Sequence, residues 1–156
     1  MEIERKYLVK TIPENIDSYP HKEYSQAYLN TDPVIRIRKE GDEYVLTYKG
    51  KGMITREEYN LPINKDSFNH LLPKCDGFII NKTRYFIDLD DDGLTAEFDI
   101  YKDYLRGFIT VEVEFETQTA CNNFIPPAWF GLEVSKDLRY HNSSLSLGDI
   151  DINTIK

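Results

Sequence analysis

Hydrophobic and polar residues alternate with a period of two along most of the chain, and a period of 3.6 residues is rare. Because period two puts successive side chains on opposite faces of a β-strand, the pattern predicts a mostly β protein. Most joints between the alternating runs carry Gly, Asp, Asn or Pro, which favour turns. Eight strands are predicted, over residues 2–9, 24–30, 34–40, 43–50, 55–62, 81–88, 94–101 and 109–117.

Turn and capping residues predict how these strands are joined. Gly41-Asp42 lies between two alternating runs and predicts a tight hairpin, as does the Asp-Asp-Asp-Gly sequence at 90–93. Antiparallel pairing of neighbouring strands follows. Two short helices are predicted, one over 64–72 opened by Asn64 and one near 117–124 opened by Thr117.

Length and composition limit the class of protein. The 156 residues suit a single domain over 1–156, and a content of 40% hydrophobic residues excludes a disordered chain. The formal charge of −8 argues against nucleic acid or an anionic membrane as a partner. Neither a signal peptide nor a membrane span is expected, since no long apolar run follows the charged residues from Glu2 onward. With Cys75 and Cys121 as the only cysteines, a reducing cytoplasm is expected.

Charged residues are sorted by strand, which is the unusual feature of the pattern. The groups that share one strand face are Glu2, Glu4 and Lys6; Arg36 and Arg38; Lys82 and Arg84; Glu97 and Asp99; and Glu112, Glu114 and Glu116. Each group alone could form a solvated sheet face, but such faces usually mix charges with Thr and Ser. Like charges at i and i+2 repel, so these strands need cross-strand partners or bound ions.

A closed eight-stranded barrel would give these side chains a common interior. A lumen lined with carboxylates and cations cannot be filled dry, so it would hold water and ions. Guanidinium and ammonium groups suit a polyphosphate, while carboxylates facing them would require a divalent metal such as Mg²⁺, Mn²⁺ or Ca²⁺ between the two. The arrangement therefore predicts a phosphoryl-transfer site.

Short motifs in the sequence are similar to those of one enzyme family. Glu2-Ile3-Glu4-Arg5-Lys6 resembles the ExExK signature of the triphosphate tunnel metalloenzymes, also called the CYTH superfamily. Further matches follow in order along nearly the whole chain, at residues 36–38, 47–49, 56–58, 82–85, 97–99, 111–115, 133–134 and 137–140. The short length resembles the compact bacterial branch of this family.

The resemblance implies an eight-stranded antiparallel tunnel that hydrolyses a triphosphate with Mg²⁺ or Mn²⁺. The implied metal-binding acids are Glu2, Glu4, Glu112 and Glu114, with Glu58 and Glu116 as further contributors. The implied phosphate-binding cations are Lys6, Arg36, Arg38, Lys49, Arg56, Lys82, Arg84 and Arg139. Tyr28 and Lys49 match a pair that handles protons in some members, although Tyr28 could equally be an ordinary barrel residue. Asn60 departs from the family pattern, since members often carry an acid there.

Inorganic triphosphate is the favoured substrate, because a chain this short leaves little to build a nucleoside pocket. Relatives that act on thiamine triphosphate or nucleoside triphosphates, or that make cyclic AMP, keep those reactions open, and a homodimer is a further expectation. A non-catalytic polyphosphate- or nucleotide-binding module is the alternative of another class, but it would not need the carboxylates.

His21, His70 and His141 show no metal-ligand spacing and receive no role. The 124–130 stretch, which contains the single Trp, is predicted to cover the core.

Overall fold

Antiparallel β-structure dominates the computed structural model of the chain, which describes residues 1–89 and 93–148. The strands are β1 (Glu2–Val9), β2 (His21–Thr31), β3 (Val34–Glu40), β4 (Glu43–Lys49), β5 (Thr55–Arg56), β6 (Glu58–Ile63), β7 (Asp76–Asp88), β8 (Thr95–Tyr101), β9 (Ile109–Glu114) and β10 (Phe130–Glu133). The α-helices are α1 (Lys65–Leu71), α2 (Gln118–Asn123) and α3 (Asn142–Ser146). Single 3-10 turns occur at Ile16–Ser18, Leu72–Lys74, Asp103–Leu105 and Leu138–Tyr140. Within the described residues, no helix is long and apolar enough to cross a bilayer.

The sheet curls into a barrel, and the seam that closes it, between β1 and β5, is short. The strands follow the order β10-β1-β9-β8-β7-β2-β3-β4-β6, and β5 pairs with β1 off this path. Since only Glu57 separates β5 from β6, these two short strands act as one wall that joins β4 to β1. The seam consists of the pairs Glu2↔Arg56 and Ile3↔Thr55, supported by a 3.0 Å hydrogen bond from the Glu4 N–H to the Ile54 carbonyl. The predicted eight-stranded antiparallel barrel is confirmed when β5 and β6 are counted as one strand of the wall. Strand β10 is an additional strand, which pairs with β1.

Most predicted elements are present with small changes at their ends. The predicted 55–62 strand is broken at Glu57, and the predicted 109–117 strand ends at Glu114. Both helix caps are confirmed. The Asn64 side chain accepts the Ser67 N–H at 2.8 Å, and Thr117 Oγ1 accepts the Ala120 N–H at 3.0 Å.

Some features of the fold were not predicted, and one predicted turn cannot be compared with the structure. Strand β10 and helix α3 were not predicted, because four or five residues are too few to show a period. Phe130 belongs to β10 as well as to the core cover that the 124–130 stretch was expected to form. The 41–42 turn is confirmed, with Gly41 at φ 59°, whereas Asp90–Asp92 of the second predicted turn lie outside the described residues.

The main apolar core lies on the outer face of the barrel wall, not inside it. Tyr7, Phe98, Val111 and Val113 are buried there, beneath the cover provided by α2 and β10. Arg5 fastens this cover, because its guanidinium donates to the Cys121 carbonyl at the end of α2 and to the Glu133 carboxylate on β10. The alternate positions of the same strands are therefore left free to point charged groups into the lumen.

A second apolar cluster and α3 close one end of the barrel. Tyr28, Ile80, Tyr101 and Leu145 are buried in this cluster. Tyr101 Oη donates to Asn142 Oδ1 at 2.8 Å, and Tyr104 Oη donates to the Leu145 carbonyl. Helix α3 also requires a residue without a side chain on β7, since a Cβ at Gly77 would lie 2.2 Å from the Ser146 carbonyl oxygen. Gly77 has φ 71°, which L-residues rarely adopt.

Replacing Gly77 with Ala should destabilise the fold more than the same change at Gly41. Both positions have positive φ, which costs an Ala about 1–2 kcal/mol, but a Cβ at Gly41 would meet only the Lys22 side chain at 3.8 Å. The extra loss at Gly77 reflects displacement of α3. Urea unfolding of the two variants measures the difference, and equal losses would contradict the tight docking of α3 on β7.

Candidate active site in the barrel lumen

A cavity of about 960 Å³ runs along the barrel axis. One mouth is formed by the β3–β4 hairpin and the start of α1, and the other end lies beneath His141, Asn142 and Ser143 at α3. Most of the residues predicted to form the site line it together, although they come from eight different strands. They are Glu2, Glu4, Lys6, Tyr28, Arg36, Arg38, Lys49, Arg56, Glu58, Arg84, Glu112 and Glu114.

Three predicted site residues do not line this cavity. Lys82 is fully buried in the wall, where its Nζ donates to Asp99 Oδ2 at 2.8 Å. Arg139 is exposed in a 3-10 turn and pairs with Asp137. Glu116 is exposed because β9 ends at Glu114, so the strand alternation that would have turned it inward stops before it.

Carboxylates from three strands meet on one side of the lumen. Glu2, Glu58 and Glu114 each offer an oxygen atom, and these three atoms lie within 4.8 Å of one another. Glu4 on β1 stands directly opposite Glu114 on β9, and Glu112 stands opposite Glu97 on β8. Like charges directly opposite each other destabilise a sheet, so this side of the lumen is under electrostatic strain.

The strain is visible in the pKa values of these acids. Burial raises the pKa of Glu2 to about 7, although Lys49 opposes the shift. Burial and the neighbouring Glu112 raise the pKa of Glu4 well above its usual range. Burial would also raise the pKa of Glu58 and Glu112, but their hydrogen bonds with Glu2 and Glu4 and the nearby cations outweigh it, and both pKa values are lowered. Each coupled pair thus favours one proton and one charge.

Such a set of acids fits a divalent cation with hard oxygen ligands. The three carboxylates that converge are Glu2, Glu58 and Glu114. Burial and repulsion from Glu97 and Glu58 raise the pKa of Glu114, and a bound cation would relieve that repulsion. Asn60 orients one of them, since its Nδ2 donates to Glu58 Oε1 at 3.0 Å while its Oδ1 accepts from Thr47 Oγ1 at 2.6 Å. The departure from the family pattern at Asn60 therefore supplies a support for an acid rather than another acid.

Cations occupy the facing part of the lumen. Arg36 and Arg38 follow each other on the inner face of β3, and the Arg36 Nε atom is buried with no hydrogen-bond partner among the described residues. Lys6 Nζ donates to the Tyr140 carbonyl at 2.6 Å and lies 3.7 Å from Glu112. Arg56 Nε lies 3.8 Å from Glu2. An unpartnered guanidinium N–H in a hydrated cavity is suited to an anionic ligand.

Arg84 differs from the other lumen cations because each of its three guanidinium nitrogens already donates a hydrogen bond to an acid. Its Nε and Nη2 atoms donate to Asp99 at 2.7 and 2.8 Å, and its Nη1 donates to Glu97 at 2.7 Å. Asp99 also accepts from Lys82 and is completely buried. The strand pattern places Asp99 on the same face as Glu97, but the sequence predicts a role for neither. Together these residues form a wall of compensated charge between β7 and β8.

Tyr28 and Lys49 both line the cavity, but they contact different groups. Tyr28 Oη accepts from Gln26 Nε2 at 3.0 Å. Lys49 Nζ lies 3.1 Å from both Glu2 oxygens and 3.3 Å from Glu58. No hydrogen bond joins Tyr28 to Lys49 in the part of the chain that the structure describes, and their role as a pair stays a prediction.

His141 lines the lumen, although the sequence predicted no role for it. Burial and the cations Lys6 and Arg56 lower its pKa to about 4, and a hydrogen bond with the Ser135 backbone opposes the shift only in part. The imidazole is therefore neutral at pH 7. Nothing in the sequence signalled this position, because the lumen is reached only after the chain has passed β10 and folded back toward β1.

Comparisons with known proteins agree with this architecture. The family model described as the CYTH domain matches residues 1–126. An inorganic triphosphatase of Nitrosomonas europaea is 41% identical over 150 residues, which cover 94% of this chain and 97% of that protein. An inorganic triphosphatase of Acetivibrio thermocellus is 33% identical over 152 residues, or 92% of each chain. A solved structure of an inorganic triphosphatase superposes with a TM-score of 0.69 at 39% identity, covering 94% of this chain and 95% of that one.

Stability should fall with pH below 6.5 partly because of His141. Since its pKa is about 4 in the folded protein and its ordinary value is 6.5, the unfolded chain binds a proton between these values that the folded protein does not. The contribution is complete above pH 6.5 and is lost as the pH falls toward 4. The free energy of unfolding of His141→Gln, measured by urea titration, should therefore decline less steeply than that of the wild type.

The exposed His70 on α1 provides the control for this measurement. His70→Gln should keep the wild-type slope. A His141→Gln variant with an unchanged slope would show that the imidazole is not held neutral in the lumen.

Proposed function

Because the chain belongs to the CYTH domain family, we propose that it hydrolyses inorganic triphosphate to diphosphate and phosphate within the lumen of its barrel. One observation carries the proposal. The same cavity is lined by the carboxylate cluster of Glu2, Glu58 and Glu114 and by the guanidinium groups of Arg36 and Arg38. Anion binding alone would need the second set and would be weakened by the first.

The substrate would be bound by the lumen cations whose N–H groups can still donate to phosphate oxygens. Arg36 and Arg56 can donate to phosphate oxygens with few competing contacts, and Lys6 adds a charge near the end closed by α3. Arg84 and Lys82 contribute differently from what the family pattern implies, because Asp99 holds both of them in the wall. In phosphoryl transfer such alignment and neutralisation of charge provide most of the acceleration.

Glu2, Glu58 and Glu114 would hold Mg²⁺ or Mn²⁺, with Glu4 and Glu112 next to them in the lumen. A divalent cation bound there would neutralise phosphate charge and lower the pKa of a bound water. This set differs from the four main acids that the family resemblance implies, Glu2, Glu4, Glu112 and Glu114, because it includes Glu58 and leaves out Glu4 and Glu112. Glu116 is left out because it lies beyond the end of β9.

A water molecule is the proposed nucleophile, since triphosphate hydrolysis requires no covalent intermediate on the protein. Tyr28 and Lys49 are kept as candidates for proton handling. The Gln26 amide donates to the Tyr28 oxygen, and Tyr28 lines the cavity. Lys49 holds Glu2 and Glu58 together and could keep this cluster charged.

The remaining expectations about the whole protein stay proposals. A single domain over 1–156 is supported by the packing of β10 and α3, which follow the family match, directly on the barrel. A homodimer and a cytoplasmic location are further predictions.

Substrate choice is tested by measuring phosphate release from inorganic triphosphate, ATP and thiamine triphosphate, each with Mg²⁺, Mn²⁺ or EDTA. Inorganic triphosphate should give the highest kcat/KM, and EDTA should abolish turnover. A higher kcat/KM for either organic triphosphate would replace the proposed substrate. Triphosphate binding by calorimetry without turnover of any substrate would favour a binding module instead.

The metal cluster is tested by the neighbouring residues Glu57 and Glu58. Glu58→Gln removes a carboxylate from the cluster and should lower kcat at least about 100-fold, together with Mn²⁺ affinity measured by calorimetry. Glu57→Gln makes the same chemical change one residue earlier, on an exposed side chain, and should leave both quantities unchanged. Wild-type Mn²⁺ affinity in Glu58→Gln would remove Glu58 from the metal site.

A further inference from the structure

Arg38, one of the two lumen arginines of β3, is engaged by an acid from its own strand. Its Nε atom donates to Glu40 Oε1 at 2.7 Å, and its Nη2 atom contacts the same oxygen. Glu40 lies two residues further along β3 on the same face, at the open mouth of the cavity, and lines the cavity together with Asp42 and Glu43. The Nε–Nη2 edge that could grip a phosphate in bidentate fashion is therefore occupied.

The neighbouring residues make this contact strong. The guanidinium of Arg38 lies over the Tyr24 ring, 4.8 Å from its centroid, so its position is fixed from one side. Burial and the cations Arg36 and Arg84 lower the pKa of Arg38, whereas Glu40 opposes that shift. Glu40 thus supplies the negative charge that this crowded group of cations requires near the mouth.

Arg36 shows the contrast on the same strand. Its Nη2 atom donates to the neutral Thr47 hydroxyl at 3.2 Å, and its Nε atom has no partner among the described residues. A phosphate that reaches Arg36 displaces no charged group. A phosphate that reaches Arg38 must share it with the Glu40 carboxylate or push that carboxylate away, and either outcome places like charges close together.

We propose that Glu40 is a specificity-determining residue that competes with phosphate oxygens for Arg38 and so disfavours polyphosphate anions that carry no divalent cation. The penalty is largest for a bare polyanion, whose charge adds to that of Glu40. It is smaller when a bound cation has reduced the charge of the ligand. This inference rests on the proposed function and adds to it a preference for the metal-bound form of the substrate.

The proposal is tested by calorimetric titration of the protein with sodium triphosphate in EDTA. Glu40→Gln should bind triphosphate at least about fivefold more tightly than the wild type, since a neutral amide no longer competes for the guanidinium. Glu43→Gln is the matched control, because Glu43 stands opposite Glu40 at the same mouth and makes no hydrogen bond or ion pair with Arg38 in the described part of the chain. It should change the affinity much less.

A double-mutant cycle separates competition for Arg38 from a general effect of charge. In an Arg38→Ala background, Glu40→Gln should no longer tighten binding, because the group for which Glu40 competes is gone. Weaker or unchanged binding by Glu40→Gln alone would overturn the proposal and would indicate that Glu40 positions Arg38 for the ligand. Equal tightening by Glu43→Gln, or tightening that persists without Arg38, would overturn it as well.

Steady-state assays with saturating Mg²⁺ complete the test. The KM of Glu40→Gln for triphosphate should change by less than its affinity in EDTA, and an equal change would contradict the preference for the metal-bound substrate. The proposed reaction and the proposed role of Glu40 can be refuted independently. A wild-type protein that binds triphosphate without hydrolysing it would refute the proposed reaction, whereas the EDTA titration would still decide whether Glu40 competes for Arg38.

Discussion

The cost of removing charged groups from water governs this structure. A barrel of this size could fill its interior with apolar side chains, but here the strands point acids and bases inward. The apolar residues of the same strands pack outside the wall, beneath α2 and β10. Stability is thus supplied from outside the barrel, which allows the lumen to keep charges that water, ions and one another must compensate.

Charge compensation is uneven around the lumen. Between β7 and β8, Asp99 accepts hydrogen bonds from both Lys82, which is buried in the wall, and Arg84, which lines the cavity. On the side of β1, β6 and β9, acids face acids. The raised pKa values of Glu2 and Glu4 favour their protonated forms, and a bound metal cation would stabilise their carboxylates instead. On β3, the Arg36 Nε–H group has no hydrogen-bond partner within residues 1–89 and 93–148. The uncompensated positions are those where a metal and a phosphate would be most strongly bound.

Both ends of the lumen depend on residues outside the regular strands. At the closed end, α3 and the second apolar cluster hold His141 near Lys6 and Arg56. At the open end, the β3–β4 hairpin brings Glu40 next to Arg38. The two ends differ in chemistry, since the closed end combines cations with a neutral imidazole and the mouth carries acids. A triphosphate entering at the mouth would therefore pass acids before it reaches the free cations.

Alternation and capping motifs in the sequence were enough to predict the strand pattern, the two helix caps, the inward faces of the strands and most of the charged residues that line the lumen. These features are local, because alternation and capping depend on residues only a few positions apart. Which acids meet depends on the folded chain, because Glu2, Glu58 and Glu114 converge through the short β1–β5 seam and the register of β1 with β9. The tertiary structure also places Arg139 outside the cavity and His141 within it, although only Tyr140 separates them in the chain. Register and the direction of a loop depend on long-range packing, which no local pattern records.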